Sequence, residues 1–492
     1  MMHESKKSES PIVAMNATNN PGHTGAESPE RRGDIKGNAS ETRTCRTQGR
    51  ESVSPSLARI RQQAKAQPKL RFTALLHHIT VDLLRQSYLA LKRKAAAGVD
   101  GVTWTAYGDG LEEQLLDLYR RVQSGAFRAL PSRRRMIPKP DGRERPLGIA
   151  SLEDKIVQRA MVEILNAIYE EDFLGFSYGF RPGRGQHDAL DALSYAIMRT
   201  PVNFIVDADL RSFFDTVNHD WLIRFLEHRI SDRRVIRMIR KWLKAGVMED
   251  GLLVSTSAGT PQGAVISPLL ANVYLHYVFD LWAQQWRTRH AQGSIIIVRY
   301  ADDIVVGIER WADARSFLSE LHTRVGMFSL SLHPEKTRLL MFGKYAAERR
   351  ARRGLGKPET FTFLGFRHIC GKTRSGRFLL HRQTRRDRMQ ITLRSIKEKL
   401  KRRMHEPIAE QGRWLRAVVR GYFAYHAVPT NSKAMSAFRH DVTRLWRHVL
   451  SRRSQVGYVT WRKMFIITRL WLPPARVLHP WPHDRFAVSH LR

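Results

Sequence analysis

The sequence predicts an α+β protein, and three observations carry that reading. First, Phe204-Ile205-Val206-Asp207-Ala208-Asp209-Leu210 and Ser294-Ile295-Ile296-Ile297-Val298-Arg299 are short runs rich in β-branched residues, as is Ile304-Val305-Val306-Gly307; all read as strands. Second, long segments outside them repeat apolar residues at helical spacing. Third, strand and helix patterns alternate to about residue 370, and a basic, helix-patterned region follows.

Residues 1–65 are rich in Ser, Thr, Asn, Glu and Arg, which predicts a disordered tail. No apolar stretch follows Lys6-Lys7, so a secretory signal is not expected. Helical spacing begins at Leu83, Leu84, Tyr88 and Leu91 and resumes at Leu111, Leu115, Leu118 and Tyr119. Residues 131–150 turn basic and rich in Pro and Gly, and read as extended strands; helix returns from Leu152 to Ile168. The expected division is a tail (1–65), a catalytic unit (66–370), a basic helical unit (371–450) and a basic C-terminal extension (451–492) suited to DNA. Gly365 and Gly371-Lys372-Thr373 miss phosphate-loop spacing and read as strand and hairpin.

Lys and Arg total 83 against 46 Asp and Glu, a net charge of +37. That excess implies a polyanionic partner held through phosphate contacts. No apolar run reaches the roughly 18 residues of a membrane span, so no membrane partner is expected. Two cysteines, Cys45 and Cys370, read as free thiols in a reducing cytoplasm and are too few for a four-cysteine zinc site.

The candidate chemistry lies at Tyr300-Ala301-Asp302-Asp303, which reads as a hairpin tip. Adjacent carboxylates repel unless a cation holds them, and hard oxygen ligands on a rigid turn suit Mg²⁺. Upstream, Asp207 and Asp209 fall on one face of a strand, and Phe213-Phe214-Asp215 reads as a turn into a helix. Two strands with acids at their ends can converge on a metal pair about 3.5–4 Å apart, the arrangement used in phosphoryl transfer.

In order along the chain, these motifs resemble a reverse transcriptase. Asp209-Leu210-Arg211-Ser212-Phe213-Phe214-Asp215 and Tyr300-Ala301-Asp302-Asp303 resemble its palm, and Gly259-Thr260-Pro261-Gln262-Gly263 through Asn272 the motif between them. Ser177-Tyr178-Gly179-Phe180-Arg181-Pro182-Gly183 matches the preceding block, Ile137-Pro138-Lys139 through Ile149 the fingers, and Phe363-Leu364-Gly365-Phe366 the strand closing the palm. Ala97-Gly98-Val99-Asp100-Gly101 and Leu415-Arg416 through Tyr425, followed by Asn431-Ser432-Lys433-Ala434, resemble the group II intron reverse transcriptase–maturases. The resemblance implies a right-hand polymerase, with fingers and an antiparallel palm sheet followed by a helical thumb or maturase domain.

It also implies roles. Asp209, Asp302 and Asp303 are the catalytic carboxylates and the ligands of two Mg²⁺ ions, with Asp303 orienting the site more than ligating, and the Leu210 carbonyl helps hold a metal. Lys139 and Arg145 neutralise the incoming dNTP triphosphate, Gln262 and Gly263 line the nucleotide loop, and Phe213 stacks beneath the sugar, with Phe214 the alternative in register. Arg385, Arg386, Lys401, Arg402, Arg416 and Arg420 contact RNA. The implied partners are the chain's own group II intron RNA, target DNA, a primer and dNTPs; a homodimer stays open. The implied location is a bacterial cytoplasm, with the nucleoid reached through target DNA. The ending, without cysteine after Cys370, gives no expectation of an HNH endonuclease, so a primer would come from elsewhere, such as a replication fork. Two rivals stand beside this reading: a retron, diversity-generating or phage-defence reverse transcriptase, and an RNA-binding splicing factor without polymerase activity. Flanking ribozyme sequence separates the first, and the intact acids oppose the second.

Overall fold

The computed structural model describes residues 55–138, 144–249, 252–254, 259–260, 263–453 and 457–489. Its strands, in chain order, are β1 (Ser132–Pro138), β2 (Glu144–Ile149), β3 (Phe204–Asp209), β4 (Val247–Glu249), β5 (Leu252–Val254), β6 (Ile295–Tyr300), β7 (Asp303–Ile308), β8 (Arg338–Met341), β9 (Phe361–Phe363), β10 (Phe366–Lys372) and β11 (Phe378–Thr384). They form three sheets, ordered β2-β1-β4-β5, β6-β7-β3-β8 and β11-β10-β9. Helices fill the intervals, so the architecture is α+β as expected.

The central sheet is antiparallel, with β3 between β7 and β8. Its strands are apolar because helices cover them. Ile205, Ile296, Val298 and Val305 pack with Leu190 and Leu193 of the Gln186–Arg199 helix. Val206, Ile297 and Val306 join the larger core, which includes the Leu152–Asp172 and Ser267–Leu275 helices. Ser151 caps the Leu152–Asp172 helix by accepting from the Asp154 amide. Gly98 packs against it so closely that a Cβ there would meet the Ser151 Cα at 2.6 Å.

The tail prediction for residues 1–65 is corrected at its end. Pro55–Ala66 is a helix, with Leu57, Ile60 and Ala64 buried on one face. Apolar residues at i, i+3 and i+7 give it a stripe to bury, which polar composition alone conceals. Arg61 fastens it to Glu171 at 2.6 Å. Residues 1–54 lie outside the described residues.

Position 371, where the basic helical unit was expected to start, lies inside β10, and the helical bundle begins at Arg386. The helices Arg386–Arg402, Ile408–His426, Ser432–Ser451 and Trp461–Trp471 share one core. Tyr422 and Phe438 stack there at 3.6 Å, and the Trp446 indole donates to Gln411 Oε1 at 2.7 Å. Most aromatics of this region are therefore interior. The C-terminal extension turns back on the junction between bundle and sheet. The Leu478 amide donates to the Ala427 carbonyl at 2.9 Å, and Arg485 pairs with Asp188 and Asp191 of the Gln186–Arg199 helix. No helix among the described residues is long and apolar enough to cross a membrane.

Candidate active site

The acids converge because of strand register. Asp209 ends β3, Asp303 begins β7, and the two are direct partners across the antiparallel pair. Opposite side chains in such a pair have Cβ atoms about 4.5–5.5 Å apart. Asp302 occupies the turn between β6 and β7, beside Ala301, whose φ is +57°. The three predicted catalytic carboxylates thus share one end of the central sheet.

Crowding shows in the protonation of Asp303. The Asp303 carboxyl is pushed up to about 7, first by its dehydrated surroundings and then by Asp302, Asp209 and Asp207, with Lys336 opposing. Asp303 nonetheless keeps exposed surface, with neighbouring carboxylates on its flank. Asp207, one turn of the pleat further in, is pushed up to about 6 by burial, against Arg338, which donates to it at 3.2 Å. The Lys336 ammonium donates to Asp209 Oδ2 at 2.7 Å.

Hard carboxylate oxygens crowded around a cleft are the donor chemistry Mg²⁺ prefers, and Mg²⁺ binds through one or two carboxylates plus substrate phosphates rather than in an all-protein cage. Among the described residues no three His, Cys, Asp or Glu side chains stand as such a cage. The residues present fit the ion in that open form. Leu210 has its side chain buried in the core, so only its carbonyl is available to a metal.

The aromatic pair behind β3 divides sharply. Phe213 is 2% exposed and packs edge-on against Tyr274 in the core. Phe214 is half-buried and faces Phe180 at 6.4 Å, which in turn faces Tyr300 at 6.5 Å. This ledge of rings lies beside Asp302 and Asp303. Phe213, the ring expected beneath the sugar, is turned into the core by the short helix Phe213–Thr216, and of the two rings Phe214 keeps surface.

Close approach accounts for Gly259 and Gly263. A Cβ on Gly259 would meet the Phe214 carbonyl at 2.9 Å, and the Thr260 amide donates to that carbonyl at 2.7 Å. A Cβ on Gly263, whose φ is +111°, would meet the Gly148 carbonyl of β2 at 2.6 Å. Gly263 thus seats the loop on β2. Lys139 and Gln262 lie outside the described residues, and for Arg145 only the backbone is placed, in β2 opposite Ile137.

The candidate RNA contacts separate into free and engaged groups. Arg386, Lys401, Arg402 and Arg420 are exposed on the bundle, Lys401 with Glu398 at 3.6 Å. Arg385 forks Asp387 at the head of its helix. Arg416 is engaged within the bundle: it donates to the Trp471 and Leu470 carbonyls and lies over the Trp471 ring, capping the Trp461–Trp471 helix. Arg382, close before the Arg386–Arg402 helix, is buried against Asp191 at 2.6 Å.

Sequence reasoning missed the groups behind the turn. Arg299 and Asp280 are both fully buried and paired at 2.6 Å. Asn272 donates to the Gly179 carbonyl at 2.7 Å and accepts from Arg299 at 3.0 Å. The available signal was an arginine inside an otherwise apolar strand, which demands a partner.

Comparison with known proteins agrees with this geometry. Residues 137–368 match the family model described as reverse transcriptase (RNA-dependent DNA polymerase). Protein YkfC of Escherichia coli K12 is 33% identical over 360 residues, covering 66% of this chain and 90% of that protein. The group II intron-encoded protein LtrA of Lactococcus lactis is 33% identical over 222 residues, covering 45% of this chain and 37% of its own length. The putative COX1/OXI3 intron 1 protein of Saccharomyces cerevisiae is 28% identical over 425 residues, 72% of this chain and 50% of the yeast protein.

Proposed function

Because this chain belongs to the group II intron reverse transcriptase/maturase family, we propose that it is an RNA-directed DNA polymerase that also binds its own group II intron RNA, assists splicing and copies the intron into DNA during mobility. The observation that carries the polymerase reading is the Asp209–Asp303 register pair with Asp302 at the adjoining turn.

Asp209, Asp302 and Asp303, with the Leu210 carbonyl, would hold two Mg²⁺ ions. Bound there, the ions supply charge stabilisation for attack of a primer 3′-hydroxyl and departure of pyrophosphate. The chain's own contribution is placement. Strand register fixes Asp209 against Asp303, and Phe214, backed by Phe180, forms the surface beneath the sugar that disfavours a 2′-hydroxyl. Lys139 and Arg145 are the proposed partners of the triphosphate, and Gln262 of the nucleotide. Exposed cations on the bundle supply salt-dependent, sequence-tolerant contacts to folded intron RNA, which performs the splicing chemistry itself. Work in the cytoplasm, with DNA contacted through the primer and target, follows from those substrates.

The decisive test is primer extension on an RNA template with dNTPs and Mg²⁺. Asp302→Asn is expected to abolish extension and leave intron RNA affinity within about twofold, since affinity rests on dispersed charge. Wild-type extension by Asp302→Asn would remove the polymerase assignment. A splicing assay at low Mg²⁺ tests the maturase role separately.

A further inference from the structure

The turn that presents Asp302 and Asp303 is held from behind. Arg299, two residues before Ala301, has no exposed surface, and a guanidinium in the interior has five N–H donors to satisfy. Nε and Nη2 fork the Asp280 carboxylate at 2.7 and 2.6 Å. Nη1 donates to Asn272 Oδ1 and to the Ala301 carbonyl, both at 3.0 Å, and Nη2 donates to Ser177 Oγ at 2.7 Å. One side chain therefore ties the metal-binding turn to the block before β3 and to the helix after Gly263.

Resting on the reverse transcriptase reading, we infer that Arg299 is a positioning residue: its grip on the Ala301 carbonyl sets the direction in which Asp302 and Asp303 enter the cleft. Three features point the same way. Ala301 has φ +57° without being glycine, a conformation that persists only where the surroundings enforce it. Asp280 lies where the helix from Ser267 widens to a π turn over His276–Asp280, an irregularity frequent at functional sites. A buried ion pair is by itself poor support for stability, since apolar replacements often do as well. Geometry rather than net stability is what the fork delivers: strand, turn and helix meet at one planar group.

Arg299→Lys tests this, because lysine keeps the charge opposite Asp280 but offers three donors from a single point. The probes are Mn²⁺ binding to the RNA-free protein, read by electron paramagnetic resonance of the free ion, and amide hydrogen exchange of residues 300–303. Groups that orient metal ligands typically change affinity by about 10–100-fold. Arg299→Lys is expected to weaken Mn²⁺ binding by at least about tenfold and to speed exchange in the turn. Wild-type affinity and wild-type exchange in a folded Arg299→Lys protein would overturn the inference. If that variant does not fold, Ser177→Ala and Asn272→Ala leave the Asp280 fork intact and carry the test; each is expected to weaken Mn²⁺ binding severalfold, and no change in either overturns it. Asp302→Asn separates the two levels. Equal Mn²⁺ binding by wild type and Asp302→Asn removes the metal-site reading and this inference with it, whereas loss in Asp302→Asn beside full affinity in Arg299→Lys removes the positioning role alone.

Discussion

Gly179→Ala adds one methyl group, and the structure says where it goes. The new Cβ would lie 2.9 Å from the Tyr300 carbonyl carbon and 3.0 Å from the Ala301 Cα, with the Ala301 amide nitrogen nearer still. All three are backbone atoms of the turn that presents Asp302 and Asp303, so no flexible side chain can yield. Comfortable carbon contacts lie at about 3.5–4.0 Å, which requires the turn and the Gly179 segment to part by on the order of 1 Å. The Asn272 bond to the Gly179 carbonyl and the Tyr178 amide bond to the Arg299 carbonyl resist movement of the segment, so the turn takes much of the shift. A misplacement of about 1 Å at reacting groups costs roughly 100-fold in rate. Single-turnover extension of a primer on an RNA template should therefore slow by about two orders of magnitude, while RNA affinity and the helical circular dichroism signal stay near wild type. A folded Gly179→Ala protein extending within threefold of wild type would show that the turn tolerates displacement, and the close-approach reasoning would fail.

Other consequences are open to measurement. Phe214→Ala is expected to raise ribonucleotide incorporation relative to deoxyribonucleotide, whereas Phe213→Ala, which empties a core position, should instead cost about 3–5 kcal/mol of stability in denaturant titrations; the reverse pattern would restore Phe213 to the sugar site. Asp303 has a folded pKa of about 7 against roughly 4 for an unfolded carboxyl, so its ionisation disfavours the metal-free fold increasingly as pH rises from about 4 to 7. Asp303→Asn should consequently raise the metal-free melting temperature at pH 8 and leave it unchanged near pH 4, even as extension is lost; an equal effect at both values contradicts the repulsion described for the site. Replacing Arg386, Lys401, Arg402 and Arg420 with Gln should flatten the salt dependence of intron binding by about 0.7–0.9 in log–log slope per lost phosphate contact, and depress splicing more than extension on a short template. An unchanged slope assigns those four side chains to solvent.

What was legible in the sequence, and what was not, follows from the range of the interactions involved. β3, β6 and β7 could be read because an apolar, β-branched run is a local signal, and the acids at its end mark where the strand leaves the core. The Phe213–Phe214 register could not, because both rings are apolar and only the rotation of a four-residue helix decides which one faces Tyr274. Arg416 caps a helix 54 residues away and Arg382 pairs with Asp191 across 191 positions, and neither partner is marked in the local sequence. The Pro55–Ala66 helix was hidden by its polar surroundings, since three buried side chains among twelve residues barely alter composition.

The hidden interactions share a physical purpose that the visible motif requires. Asp209, Asp302 and Asp303 repel one another, so a structure that simply neutralised them from the front would occupy the space substrate phosphates need. Here the opposing charges stand elsewhere. Lys336 and Arg338 approach Asp209 and Asp207 from the β8 side, and Arg299 holds the turn from beneath through a carbonyl rather than through either carboxylate. The backbone of the turn is thus fixed without a contact from Arg299 to its carboxylates. Exposed cations line the helical bundle, among them Arg386, Lys401, Arg402 and Arg420. On the proposed reading, RNA affinity rests on the bundle's cations and metal-dependent chemistry on the turn's carboxylates, so single substitutions at the turn and grouped substitutions on the bundle are expected to pull the two activities apart.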